Sequence, residues 1–147
     1  FLKPDPLASE ADPDLADLEA RMDCVLVDAP CSGTGAWRRN PDARWRLTPE
    51  LLQNYGEAQA EVLARGAQAV KSGGRLVYVP CSLLPSENEN RVAAFLAARP
   101  DFEQADWDAY WPAEHAAPQA PKGGALRLTP MTTGTDGFFI AILRRKG

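Results

Sequence analysis

Two short apolar runs of strand type flank one long stretch of helical pattern, and that order leaves few folds open. The first run, Cys24-Val25-Leu26-Val27, ends at Asp28, and the second, Leu76-Val77-Tyr78-Val79, ends at Pro80. Between them, Thr48-Pro49-Glu50-Leu51 supplies an N-cap, a proline at the first helical position and an acidic first turn, which predicts a helix running to about Lys71. Ser72-Gly73-Gly74 stops that helix and turns the chain into a strand from Arg75 to Val79. After Cys81, Ser86 and Glu89 have the spacing of a capping box and predict a second helix that closes at Arg99, before Pro100. Strand, long helix, strand, helix is the order of right-handed βαβ crossovers, so an α/β fold with parallel strands is expected. A short helical pattern from Asp14 to Met22 feeds the first strand. Downstream, Trp111 to Gly124 is rich in proline and glycine and reads as irregular loop, and Leu126-Arg127-Leu128 and Gly137 to Leu143 are expected to form a closing antiparallel pair.

Composition narrows the class. At 147 residues, 45% hydrophobic and 24% charged, the chain suits one globular domain. No apolar run approaches the roughly 18 residues of a membrane helix, and Phe1-Leu2-Lys3-Pro4-Asp5 is not a signal peptide, so a cytoplasmic protein with no membrane partner is expected. The three cysteines, Cys24, Cys31 and Cys81, suggest no disulfide framework, and a single histidine, His115, in a proline-rich stretch argues against a zinc site. Cys24 lies inside a strand and is expected in the core. A net charge of −4 does not point to nucleic acid globally. Locally, Trp37 to Arg46 reads WRRNPDARWR, in which Arg38, Arg39, Arg44 and Arg46 can pair phosphates while Trp45 and Trp37 offer faces to unstacked bases. The competing reading is a surface loop whose tryptophans anchor it to the core.

The chemistry concentrates beyond the two strands. Asp28-Ala29-Pro30-Cys31-Ser32-Gly33-Thr34-Gly35 follows the first, and Pro80-Cys81-Ser82 ends the second, fifty residues after Cys31. In open α/β sheets, ligands and reacting atoms gather just outside the carboxyl ends of parallel strands. Two thiols and a carboxylate are thus candidates for one site, against the plainer reading of a turn-capping aspartate and small buried cysteines. A cysteine phosphatase would need an arginine six residues after Cys31, where Trp37 stands. A nucleotide P-loop would need Gly-Lys-Ser or Gly-Lys-Thr after the glycines, and a Cys-His hydrolase would depend on the distant His115.

Val27 to Gly35, Arg38-Arg39-Asn40-Pro41-Asp42, Trp45, Gly73-Gly74-Arg75-Leu76-Val77-Tyr78, Cys81-Ser82, Glu87-Asn88-Glu89 and Gly134-Thr135-Asp136-Gly137-Phe138-Phe139 together resemble the Sun/Fmu family of RNA cytosine-C5 methyltransferases. The resemblance spans about residue 23 to the C-terminus. It implies the C-terminal half of a Rossmann-like class I S-adenosylmethionine-dependent methyltransferase fold, with parallel strands and an antiparallel C-terminal hairpin. It also implies methyl transfer from S-adenosylmethionine to C5 of cytosine in RNA, 16S rRNA by its bacterial Sun-type members, with tRNA as the other substrate class. Carried over by motif, Cys81 is the nucleophile that adds to cytosine C6 and Cys31 assists release. Asp28, with Pro30 beside it, lies near the cofactor, and Asp5 maps to the acidic residue at the adenine end. Two positions depart from the family pattern: Pro80 replaces a threonine or serine before the nucleophile, and Thr133 stands where a histidine often precedes Gly-Thr-Asp-Gly-Phe-Phe. The glycine-rich cofactor loop of the family has no counterpart before residue 23. Residues 1–147 are accordingly expected to be a partial catalytic domain, inactive alone, with an exposed sheet edge that favours a homodimer. The alternative function is a non-catalytic RNA-binding module using the Trp37–Arg46 loop.

Overall fold

The computed structural model describes residues 17–147. Its central sheet has the strand order β1-β2-β5-β3, formed by β1 (Met22–Asp28), β2 (Val70–Val79), β3 (Phe102–Ala105) and β5 (Phe138–Arg145), and a short β4 (Leu126–Leu128) pairs with the start of β5. β1 and β2 are parallel, and β5 runs antiparallel to both β2 and β3. The first three strands therefore share one direction, with β5 inserted between the second and third. The expected parallel sheet and closing hairpin are both present. β3 is an addition, and β5 reaches past the hairpin to Arg145 to pair with it.

Among the described residues, four α-helices connect these strands: α1 (Asp42–Arg46), α2 (Pro49–Ala69), α3 (Glu89–Ala98) and α4 (Pro130–Thr133). α2 begins as its sequence requires, with Pro49 in the first turn and the Thr48 hydroxyl accepting from the Leu51 amide at 3.2 Å. The crossovers β1-α2-β2 and β2-α3-β3 advance in the same direction across the sheet, and right-handed crossovers then place both helices on one face. The core lies there. Leu63 and Ala67 of α2, Val92 and Phe95 of α3, Leu76 and Tyr78 of β2 and Ala141 and Leu143 of β5 form one buried cluster. Phe95 meets Phe102 edge to face at 5.4 Å, which fixes β3 against α3. Gly66 brings α2 close to the sheet, since a Cβ there would come within 2.9 Å of Leu76 and 3.0 Å of Val27.

Three local expectations need correction. The capping box at Ser86 does not form: α3 opens at Glu89, and Asn88 before it makes no side-chain cap bond. The preceding turn instead sends Glu87 and Asn88 inward, where both are essentially fully buried. Gly73-Gly74 does not separate helix from strand but lies within β2, where the register with β1 slips between Met22 and Cys24. Gly73 has φ +74°, and a Cβ on Gly74 would meet the Met22 carbonyl at 2.9 Å, so this bulge requires both glycines. Cys24 is exposed, not core. β1 is the edge strand, and Cys24, Leu26 and Asp28 alternate onto its open side, with Leu26 68% exposed. Of the helical pattern at Asp14–Met22, the described part, 17–21, is turn leading into β1. Asp5 lies outside the described residues.

Candidate active site

The parallel register that ends at Asp28 opposite Val79 builds the site. Beyond it each strand delivers the same triplet, Pro30-Cys31-Ser32 and Pro80-Cys81-Ser82, so residues fifty apart in sequence become neighbours. Cys31 Sγ lies 3.3 Å from Cys81 Sγ, and Ser32 Oγ lies 3.5 Å from Ser82 Oγ. Both thiols are half-buried. They line a cavity of about 360 Å³ together with Asn40, Arg46, Leu51 and Tyr55.

A buried carboxyl group holds the two triplets together. Glu87, 1% exposed, accepts from the Ser32 amide at 2.8 Å, from the Ser32 and Ser82 hydroxyls at 2.5 Å each, and from Gln59 Nε2 at 3.0 Å. Gln59 also donates to the Pro30 carbonyl at 2.9 Å, tying α2 to the first triplet. Asn88 Nδ2 donates to the Ser82 carbonyl at 3.0 Å, and the Tyr78 hydroxyl donates to the Glu87 carbonyl at 2.7 Å. Burial pushes the Tyr78 phenol up, so it stays a donor at neutral pH.

Backbone contacts complete the support. The Gly35 amide donates to the Cys81 carbonyl at 3.0 Å, the Gly137 amide to the Gly35 carbonyl at 2.9 Å, and the Phe139 amide to the Pro80 carbonyl at 3.1 Å. A Cβ on Gly35 would sit 2.0 Å from the Gly137 carbonyl oxygen, so the start of β5 can lie against the first cysteine loop only because Gly35 has no side chain.

The two sulfurs are within hydrogen-bond reach, and either can be the donor. The Cys31 thiol donating to Cys81 is the largest influence on Cys81 and lowers it to about 7, against desolvation and the Asp28 and Glu87 carboxylates, which raise it. The same hydrogen bond, reinforced by burial, holds the proton on Cys31 and pushes its pKa up. With Cys31 as the donor, Cys81 is the sulfur favoured to ionise, and the thiolate is the form in which a cysteine is nucleophilic.

The other anticipated residues divide into groups. Asp28, the last residue of β1, is exposed, and its side chain has no hydrogen-bond or ion-pair partner among the described residues, so its carboxylate is available to an ammonium or amine donor. Pro30 faces the Gln59 contact through its carbonyl. Arg38 and Arg39 both pair with Asp136, Arg38 at 3.3 Å, while their side chains stay about two-thirds exposed. They thus clamp the arginine loop to the turn before β5. Arg44, Trp45 and Arg46 are exposed on α1, with the Arg44 guanidinium 5.3 Å from the Trp45 ring and Trp45 79% exposed. Trp37 is half-buried and donates to the Ser32 carbonyl at 3.4 Å, so of the two tryptophans only Trp37 anchors the loop.

Sequence reasoning missed Glu87, Gln59 and the serine pair as parts of this site. Gln59 carried a signal, being the polar member of the buried stripe Gln59-Leu63-Ala67 on an otherwise regular amphipathic helix. Glu87 belongs to a segment that carries the family resemblance, but nothing local marked it as buried, because Ser-Glu-Asn-Glu before a helix has the composition of an ordinary exposed first turn.

Residues 8–144 match the family model described as 16S rRNA methyltransferase RsmB/F. The chain is 39% identical over 124 residues to a protein of Synechocystis sp. described as probable ribosomal RNA small subunit methyltransferase B, covering 84% of this chain and 27% of that relative. It is 40% identical over 121 residues to ribosomal RNA small subunit methyltransferase B of Thermus thermophilus, covering 82% and 29% respectively. Among solved structures, NSun6 from Pyrococcus horikoshii, determined with SFG, superposes with a TM-score of 0.68 at 26% identity over 91% of this chain and 33% of its own. The chain thus spans little more than a quarter of the curated relatives it matches. With the two-cysteine site and the strand order in place, the conclusion is that this chain belongs to the RsmB/F family of 16S rRNA methyltransferases.

Proposed function

We propose that this chain carries the cysteine half of the active site of an S-adenosylmethionine-dependent RNA cytosine-C5 methyltransferase acting on 16S rRNA. The observation that carries the reading is the 3.3 Å contact between Cys31 and Cys81 at the mouth of the cavity, with Cys81 in the thiolate role. The names of the relatives support the rRNA substrate, and SFG in the NSun6 neighbour, an S-adenosylmethionine analogue, supports the cofactor. An rRNA substrate supports a cytoplasmic location.

Cytosine C5 is a poor nucleophile, so the Cys81 thiolate adds to C6 and turns the ring into an enamine whose C5 can take up a methyl group. When bound, S-adenosylmethionine supplies that methyl on an electrophilic sulfonium. Asp28, exposed at the end of β1 and with its side chain unpaired among the described residues, fits the cofactor's ammonium end. After transfer, the C5 proton must leave and the C6–S bond must break. Once the Cys81 sulfur is bonded to carbon it no longer carries the charge that holds the proton on Cys31. Cys31 is then free to release its own proton to water and, as thiolate, to take the C5 proton as base, so that the C5–H electrons re-form the C5–C6 double bond and the C6–S bond breaks to release Cys81 as thiolate. On α1, Arg44 and Arg46 bind phosphate and Trp45 stacks on a base, with Arg38 and Arg39 adding charge from the clamp to Asp136. Residues 1–147 act as part of a catalytic domain, and the open side of β1 supports self-association of the isolated chain.

The test uses the natural gene product that contains these residues and RNA substituted with 5-fluorocytosine, because fluorine at C5 blocks elimination and traps the adduct. Adduct is expected with the wild type and with Cys31→Ala, and none with Cys81→Ala. Loss in Cys31→Ala with retention in Cys81→Ala would reverse the assignment. No adduct with any form, together with salt-dependent RNA affinity lost on replacing the four arginines, would favour a non-catalytic RNA-binding module.

A further inference from the structure

Glu87 touches neither sulfur, yet it binds the residue after each cysteine through a carboxyl group buried between them. It takes the amide and hydroxyl of Ser32 and the hydroxyl of Ser82, and Gln59 closes its fourth contact from α2. These four donors come from three separate segments, the loop after β1, the loop after β2 and α2, and they converge on a side chain that is 1% exposed. A buried carboxyl group with that many partners is costly to install unless the geometry it enforces is needed. A purely architectural link would be served as well by an apolar side chain, with the serines replaced by alanine. From this arrangement we infer that Glu87 is the positioning residue of the thiol pair: by gripping Ser32 and Ser82 together it keeps Cys31 where its S–H can donate to Cys81. The inference deepens the methyltransferase reading above and rests on Cys81 being the nucleophile of that reaction.

Two roles for Glu87 predict opposite results. As a negative charge near both sulfurs, it opposes their ionisation, so removing it makes the Cys81 thiol more acidic. As a clamp, it supplies the Cys31 hydrogen bond on which the acidity of Cys81 depends, so removing it makes Cys81 less acidic. The charged and titratable groups around Cys81 are Cys31, Asp28 and Glu87, with Arg46 and Tyr55 on the same cavity wall, and between the wild type and the Glu87 variants only Glu87 is altered.

The experiment measures iodoacetamide alkylation of Cys81 against pH, read peptide by peptide by mass spectrometry, with no RNA or cofactor present. In the wild type the midpoint is expected near pH 7. Glu87→Gln removes the charge, and Glu87→Asp keeps it but falls one methylene short of spanning the serines. Both are expected to raise the midpoint by about one pH unit toward that of a free thiol. Cys31→Ala is expected to do the same, and the double variant Cys31→Ala/Glu87→Gln no more than Cys31→Ala alone, since both act through one hydrogen bond. Should the Glu87 variants fail to fold, Ser82→Ala removes one arm of the clamp and is expected to raise the midpoint in a smaller step. A folded Glu87→Gln or Ser82→Ala protein whose midpoint falls or stays put overturns the inference. Because the readout is independent of turnover, that failure stands apart from the absence of an RNA adduct, which would refute the methyltransferase reading instead.

Discussion

Replacing Gly35 by alanine tests how the two halves of the site are held in contact. The added Cβ would fall 2.0 Å from the Gly137 carbonyl oxygen and 2.6 Å from its carbon. Ordinary contact between such atoms begins beyond about 3 Å, so the backbone at the start of β5 must retreat by roughly 1 Å or more. Neither atom belongs to a side chain that can rotate away. That retreat stretches the Gly137 amide to Gly35 carbonyl bond and the Gly35 amide to Cys81 carbonyl bond, now 2.9 and 3.0 Å. A buried backbone group left without a partner costs about 1–3 kcal/mol, so losing both places the destabilisation at about 2–6 kcal/mol. Gly33→Ala is the control two residues away. Gly33 has φ +68°, and a methyl added there would meet no atom within 4 Å, so its cost is the left-handed backbone alone, about 1–2 kcal/mol. Urea unfolding of the two variants, with unchanged m-values, should place Gly35→Ala below Gly33→Ala, by about 2.5 kcal/mol at the centres of the two ranges. Equal stabilities would mean that the β5 turn is not seated on the cysteine loop, and the packing argument would fail.

Two further outcomes separate the surface features. Arg44→Ala and Arg46→Ala should each reduce the slope of log affinity for single-stranded RNA against log salt by about 0.7, while Arg38→Ala and Arg39→Ala, already paired with Asp136, should reduce it less. Equal losses at all four positions would show that the Asp136 clamp opens on RNA. Leu26→Lys should abolish concentration-dependent association of the isolated chain in sedimentation velocity, because it charges the open side of β1, and should leave stability within about 0.5 kcal/mol at a residue already 68% exposed. Association unchanged by this substitution would remove β1 as the contact.

The elements legible in the sequence were those set by local rules. Thr48 and Pro49 specify where α2 starts, and the apolar runs specify β1 and the functional end of β2, because caps and hydrophobic periods act over a few residues. β3 was not legible, since Phe-Glu-Gln-Ala offers one strongly apolar residue, Phe102, whose burial depends on Phe95 of the preceding helix. The exposure of Cys24 was equally hidden. Alternation shows that two faces exist, but whether the second is covered depends on what packs against it. The site followed the same division: the cysteines and Asp28 stand out by their place after strands, while the Arg38–Asp136 and Ser32–Glu87 links join residues 98 and 55 apart and exist only once β5 and α3 have docked.

Two cysteines in identical Pro-Cys-Ser triplets have equal claims on the chemistry, and the distance between them lets only one ionise readily. At 3.3 Å, two thiolates would repel each other by about 5 kcal/mol even at an effective dielectric of 20. The pair therefore keeps one proton through the neutral range, and the remaining question is which sulfur holds it. With Cys31 as donor, Cys81 faces the cavity as thiolate before reaction, and carbon bonding at Cys81 cancels the repulsion that kept Cys31 protonated. In the proposed reaction this one contact orders the two roles in time: nucleophile first, base second. On the inference drawn above, it persists while Ser32 and Ser82 stay side by side, and the 2.5 Å bonds from both hydroxyls to Glu87 hold them there from a residue outside the cavity lining.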